Sequence, residues 1–220
     1  LANNGGFTST MAVSAGSSAL DAGGVTTACA ATDQRGLSRP QGTACDVGAF
    51  EFGGTSTTTA AGSAVATYGD ASVNVTATVS PNPGGGSVQF FVNGNPVGSA
   101  TVNAGTGVAT LSYNPSALTV GSYPIRADFL GSGNFLSSTI NPGSNVTLTI
   151  NQKTASVTPS AASKNYGDAD PVLTGTLVGF LPADNVTAAY SRTAGESVAG
   201  SPYTISATLS PVGALGNYDI

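Results

Sequence analysis

Ser72-Val73-Asn74-Val75-Thr76-Ala77-Thr78-Val79 decides the fold of this chain. Apolar and polar residues alternate strictly over eight positions. A period of two turns Val73, Val75, Ala77 and Val79 to one face of a strand and leaves Ser72, Asn74, Thr76 and Thr78 on the other. The same texture continues on both sides. Val88, Phe90 and Val92 form the next inward row, and Asn93-Gly94 follows at once. Both residues tolerate positive φ, so the pair predicts a two-residue hairpin. Ala109, Leu111 and Tyr113 make another row, then Tyr123, Ile125, Ala127 and Phe129, then Val146, Leu148 and Ile150. With a first strand near 56–67, residues 55–151 hold about seven strands, the number that suits a two-sheet sandwich.

The pattern restarts at 153. Tyr166-Gly167-Asp168 repeats Tyr68-Gly69-Asp70, and Gly200-Ser201-Pro202-Tyr203-Thr204-Ile205 repeats Gly121-Ser122-Tyr123-Pro124-Ile125. Gly216-Asn217-Tyr218 repeats Gly133-Asn134-Phe135, and the row Tyr203, Ile205, Ala207, Leu209 copies Tyr123, Ile125, Ala127, Phe129. Three echoes in one order mark an internal repeat. Asn151-Gln152-Lys153-Thr154 alone separate the two patterns, which predicts a semi-rigid join. The first copy runs fifteen residues past its Gly-Asn-Phe and ends in a strand, so the second, stopping at Ile220, is expected to lack its final strand.

Polarity in this chain comes from Ser, Thr, Asn and 30 Gly; 8% of residues are charged, far below the roughly 25% of an ordinary domain. A net charge of −5 argues against nucleic acid, which needs basic patches. No apolar run of membrane-spanning length is present, so no membrane insertion is expected of this segment. Leu1 is not a natural start, and an export signal is expected upstream of it. The cysteines, Cys29 and Cys45, are an isolated even pair. A disulfide suits them and an oxidising compartment. The rival reading, a metal pair, has two thiols and no histidine to work with.

Residues 1–52 resemble the closing coils of a right-handed parallel β-helix from large exported bacterial proteins. The stretches that carry this are Asn4-Gly5-Gly6, Gly16-Ser17-Ser18-Ala19-Leu20-Asp21-Ala22-Gly23, Thr32-Asp33-Gln34-Arg35-Gly36 and Cys45-Asp46-Val47-Gly48-Ala49-Phe50-Glu51. Residues 55–151 resemble a bacterial immunoglobulin-like repeat domain through Tyr68-Gly69-Asp70, Val75-Thr76-Ala77-Thr78-Val79, Gly121-Ser122-Tyr123 and Gly131-Ser132-Gly133-Asn134-Phe135. Residues 153–220 resemble the MBG family, mostly β and glycine-rich, through Lys164-Asn165-Tyr166-Gly167-Asp168-Ala169-Asp170-Pro171, Ser201-Pro202-Tyr203-Thr204-Ile205 and Gly216-Asn217-Tyr218. Together the resemblances imply an all-β segment of an adhesin-like, secreted or cell-surface protein: β-helix end, then two immunoglobulin-like sandwiches, the last incomplete. The implied partners are a host-cell, matrix or polysaccharide surface.

Within 1–52, Asp33, Arg35, Arg39, Asp46 and Glu51 fall in nineteen residues of a chain with seventeen charged residues. They are expected to pair with one another and cap the solenoid end, because a terminal coil must present a covered face. No catalytic residue is expected. The absence of histidine removes Ser-His-Asp and Cys-His chemistry. Asp168 and Asp170, the one close carboxylate pair, lie beside a turn where Asp bonds its own backbone. No cofactor is expected; calcium, on Asp168, Asp170 and backbone oxygens, with Asp70 as the equivalent in the first repeat, is left open. The seven tyrosines could suggest a sugar platform, but most sit in alternating inward rows and core packing is the better account. The segment is therefore expected to be a non-enzymatic stalk, spacer or presentation module. The alternatives are the cap and spacer of a polysaccharide-degrading β-helix enzyme, or sandwiches whose loops bind carbohydrate or calcium.

Overall fold

The alternation at 72–79 becomes a strand, Val73–Ser80. The computed structural model describes residues 1–14, 16–24, 29–133, 135–139 and 145–220, and among them the chain is all-β. Asn134, in the quoted Gly-Asn-Phe stretch, lies outside the described residues. In chain order the first nine strands are β1 (Thr58–Ala61), β2 (Ala64–Thr67), β3 (Val73–Ser80), β4 (Ser87–Val92), β5 (Asn95–Thr101), β6 (Val108–Tyr113), β7 (Gly121–Phe129), β8 (Ser138–Thr139) and β9 (Thr147–Asn151). They form two sheets, one ordered β1-β3-β6 and one ordered β2-β9-β7-β4-β5, with β8 on β7. The first strand expected near 56–67 is thus two strands in different sheets, broken at Gly62-Ser63. Switching sheets lets one chain segment edge both layers of a sandwich.

The rows read from the sequence supply the core. Val75, Ala77, Val79, Val88, Phe90, Val92, Ile125, Ala127, Phe129 and Leu148 are buried. Asn93 and Gly94 take φ 51 and 79, and β4 returns as β5 with Val92 opposite Asn95. Two consecutive positive φ values match the right-handed twist of the flanking strands.

The remaining strands are β10 (Lys153–Thr154), β11 (Ser156–Pro159), β12 (Gly175–Val178), β13 (Thr187–Arg192), β14 (Ile205–Ser210) and β15 (Tyr218–Asp219). They pair as β10-β15, β11-β12 and β13-β14. The repeat is visible in the register itself. Ser156↔Val178, Val157↔Leu177, Thr158↔Thr176 and Pro159↔Gly175 reproduce Thr58↔Ser80, Thr59↔Val79, Ala60↔Thr78 and Ala61↔Ala77, residue for residue, at one constant offset of 98. The parallel bridge Thr55↔Phe135 returns as the parallel pair Lys153↔Tyr218. The second row is less well covered than the first: Tyr203, Ile205, Ala207 and Leu209 are half-buried.

Contacts divide the chain into two compact units. The first is Leu1–Ala64, Ser72–Tyr113 and Ser122–Leu148; the second is Val65–Ala71, Asn114–Gly121 and Thr149–Ile220. Residues 1–52 lie in the first unit. Their described residues carry two antiparallel bridges, Ala2↔Thr10 and Thr32↔Ser38, and no named strand, so the parallel ladder of a β-helix coil is not seen there. Among the described residues no helix is long and apolar enough to cross a membrane.

Candidate functional site

The charged residues of 1–52 converge in the first unit. Cys29 and Cys45 form a disulfide. Closing that loop stabilises by about 3 kcal/mol in the chain-entropy picture. Arg35 pairs with Asp33 at 2.7 Å and lies over the Phe50 ring at 3.7 Å. Asp33 Oδ1 also accepts from the backbone N–H of Arg35 and Leu37, and Oδ2 from that of Glu51. Burial pushes the Asp33 carboxyl up, but the hydrogen bonds from Arg35 and these three N–H groups outweigh it and hold it below its ordinary value. Glu51 accepts from the N–H of Gln41 at 2.9 Å and of Asp46 at 3.0 Å, with Arg39 Nε 3.5 Å away.

Asp46 departs from the expected ion-pair set, because its carboxylate takes the backbone N–H of Asp21 and of Phe52. Asp21, which the sequence reading left out, accepts from Ala44 N–H. The four carboxylates therefore act mainly as acceptors for a loop-rich backbone that has few strand partners. This is how a segment without a ladder satisfies its buried N–H groups.

The second unit holds a different cluster. Tyr68 and Tyr218 meet edge to face at 5.6 Å, and Phe180 packs on Tyr218 at 4.9 Å. Both phenols donate to the Asp184 carboxylate, and the Tyr218 oxygen accepts from Leu181 N–H at 2.9 Å. Asn217 accepts from Val120 N–H at 3.1 Å. Gly69, at φ 85, brings the backbone so close to Leu181 that a Cβ would lie 2.6 Å from its Cδ1. Tyr218 is 3% exposed. Burial pushes its phenol up to about 12, and Asp184 adds to the shift; Tyr68 moves the same way for the same reasons.

The folded state thus holds both phenols neutral. The stabilisation is complete below the unfolded value of about 10 and is lost as pH rises through about 12. The urea midpoint of the second unit, followed by circular dichroism, is expected to hold from pH 8 to 10 and fall towards pH 12. Tyr218→Phe should flatten that fall while lowering the plateau.

Of the seven tyrosines, Tyr218 alone is buried, five are half-buried, and Tyr166 is 76% exposed. Tyr166 borders a groove of about 270 Å³ in the second unit. Beside it Lys164 pairs with Asp170 and Glu196, each at 2.7 Å, and Arg192 pairs with the same two carboxylates. Arg192 above all, with Lys164, draws the Asp170 carboxyl down to about 2. Asp70 does bond its own turn, accepting Thr67 N–H, but Asp170 instead reaches Arg192 across 22 residues. A cation at Asp170 would have to displace two positive side chains. Among the described residues no three His, Cys, Asp or Glu side chains converge as metal ligands. The partly buried Asp128, raised by burial against the pull of Arg126, stands with a cation and not with a second carboxylate.

Sheets, rows and repeat register define the class as all-β modules with an immunoglobulin-like sandwich first. Residues 57–151 match the family model of the bacterial Ig-like domain (group 3). Residues 155–220 match that of the MBG domain (YGX type), and Tyr166-Gly167-Asp168 is a Tyr-Gly-X turn within them. No curated protein and no solved structure matches the chain. Both are non-catalytic module types typical of extracellular structural proteins, and the disulfide agrees with that setting.

Proposed function

We propose that this chain is a non-catalytic spacer segment of an exported bacterial surface protein, in which the sandwiches hold a presenting element away from its anchorage. The observation that carries the reading is the Tyr68–Asp184–Tyr218 cluster. It ties the half-buried Tyr68 of the first matched module to Asp184 and the buried Tyr218 of the second, which supports a short link at Asn151–Thr154 that is not a free tether. A spacer needs such joins, because a flexible one would cancel the reach that each module adds. Residues 1–52, with their carboxylate-held backbone, serve in this reading as the covering end of a β-helix. The surface approached is that of a host cell, a matrix or a polysaccharide.

Backbone ¹⁵N relaxation tests the spacer reading. Order parameters of Asn151–Thr154 should sit near about 0.85 in the wild type and drop below about 0.6 in Asp184→Ala. Wild-type values already below about 0.6 would remove the spacer reading.

A further inference from the structure

The two Tyr-Gly-Asp turns share a backbone, with Gly69 at φ 85 and Gly167 at φ 88, but not surroundings. Tyr68 is packed against Tyr218, whereas Tyr166 is 76% exposed. The difference follows the repeat. The second unit draws in 65–71 and 114–121 from the first copy. The offset of 98 carries 65–71 onto 163–169, and the offset of 80 that aligns Tyr123 with Tyr203 carries 114–121 onto 194–201. These two segments supply much of the groove beside Tyr166: Ser163–Tyr166 on one side and Gly195–Val198 with Ser201 on the other. Tyr166, the counterpart of the Tyr68 that receives Tyr218, is part of the groove wall, and Gly167 and Gly200, the counterparts of the Gly69 and Val120 that receive Leu181 and Asn217, adjoin lining residues in sequence without lining it themselves.

The receiving partner is also repeated. Tyr218 follows Gly-Asn and pairs in parallel with Lys153; Phe135 stands at the same place in the repeat and bridges Thr55 in parallel. Phe135 in turn lines a cavity of about 320 Å³ with Gly5 and Arg35, part of the segment that precedes its own module. In both copies the aromatic after Gly-Asn faces what comes before it in the chain.

We propose that the groove beside Tyr166 is a docking surface for one further sandwich module of the same kind, joined in tandem. That module would bring a Gly-Asn-aromatic turn and a carboxylate at the place of Asp184 to close on the Tyr166 phenol. The side chains already present fit this role. Val198 is 74% exposed at the rim, next to apolar groove residues that a module would cover. The Lys164 and Arg192 charges are already matched by Asp170 and Glu196, so covering them buries paired groups. The proposal rests on the spacer reading, since it supplies the rule by which such a spacer lengthens.

The test extends the chain along its own repeat. Residues 136–220 are appended after Tyr218, the counterpart of Phe135, with Tyr166→Phe in the appended copy so that the original Tyr166 alone is read. Tetranitromethane labelling with mass spectrometry then compares its nitration rate in the 220-residue and extended chains. The rate should fall about tenfold on extension, to that of Tyr68. An unchanged rate overturns the proposal. So does an appended copy that stays unfolded by hydrogen exchange, because the surface is claimed to receive this very module. Protection of Tyr166 that grows with concentration in the 220-residue chain also overturns it, in favour of a second copy as occupant. A mobile Asn151–Thr154 link defeats the spacer reading itself, whereas a rigid link with an unprotected Tyr166 defeats the docking surface alone.

Discussion

Glu51→Ala is expected to open residues 1–52 at a cost of about 3–5 kcal/mol, the loss typical of breaking a buried pair by removing one partner. Glu51 is 0% exposed. Its removal strands the N–H groups of Gln41 and Asp46 and leaves Arg39, whose side chain is 8% exposed, beside no carboxylate. Each orphaned group carries its own desolvation penalty. Amide exchange at Gln41 and Asp46 should accelerate by roughly 100-fold or more while the Val75 amide keeps its wild-type rate. Glu51→Gln, which preserves an acceptor but not the charge, should lose less. Acid acts on the same knot through Asp33. Because its folded value is depressed, its contribution is present above the unfolded value of about 3.9 and disappears as pH falls below it. A Glu51→Ala protein with unchanged exchange at both amides would show that the carboxylate merely decorates the loop.

Phe90→Ala carries the other large loss, about 3–5 kcal/mol for an aromatic removed from a closed core. Phe90 is 0% exposed on β4, between Ala127 of β7 and Gly98 of β5. Small residues at the paired positions of both flanking strands leave room for the ring. Guanidinium unfolding followed by circular dichroism should show the first unit's midpoint shifted down. Phe90→Leu, which keeps most of the volume, should recover much of the difference. A loss below about 1 kcal/mol would mean that the two sheets do not close over this row.

Both sites differ in how far the sequence alone reaches them. Val75, Phe90 and Ile125 announce themselves because a strand's period is local, and Asn93-Gly94 because a turn's chemistry is local. The break at Gly62-Ser63 is silent, since residues on both sides favour strands and the sheet switch depends on which neighbours are in place. The charged cluster of 1–52 is visible as a density of charge, but beside the Arg35–Asp33 pair its carboxylates also take backbone N–H groups, and these carry no sequence signature. Asp21 is not singled out in the sequence for that reason, and the Asp46 carboxylate takes the N–H groups of Asp21 and Phe52 while its own N–H donates to Glu51. Tyr68 and Asp184 stand 116 residues apart, a pairing that no local pattern encodes. The repeat was the one long-range signal legible beforehand. It located both Tyr-Gly-Asp turns, but not that Tyr68 is half-buried against Tyr218 while Tyr166 is exposed, a difference that depends on distant neighbours.

The central claim is that the join between the two matched modules is held by packed and hydrogen-bonded contacts around Tyr218. Native-state hydrogen exchange reads it directly at four amides: Tyr68, bonded to Asn151 O; Val120, bonded to Asn217; Lys153, bonded to Asn217 O; and Leu181, bonded to the Tyr218 oxygen. A single cooperative join should give all four one common opening free energy, several kcal/mol above that of an exposed loop. Val120 and Leu181 exchanging at unprotected rates, while Tyr68 stays protected by its strand neighbour, would contradict it.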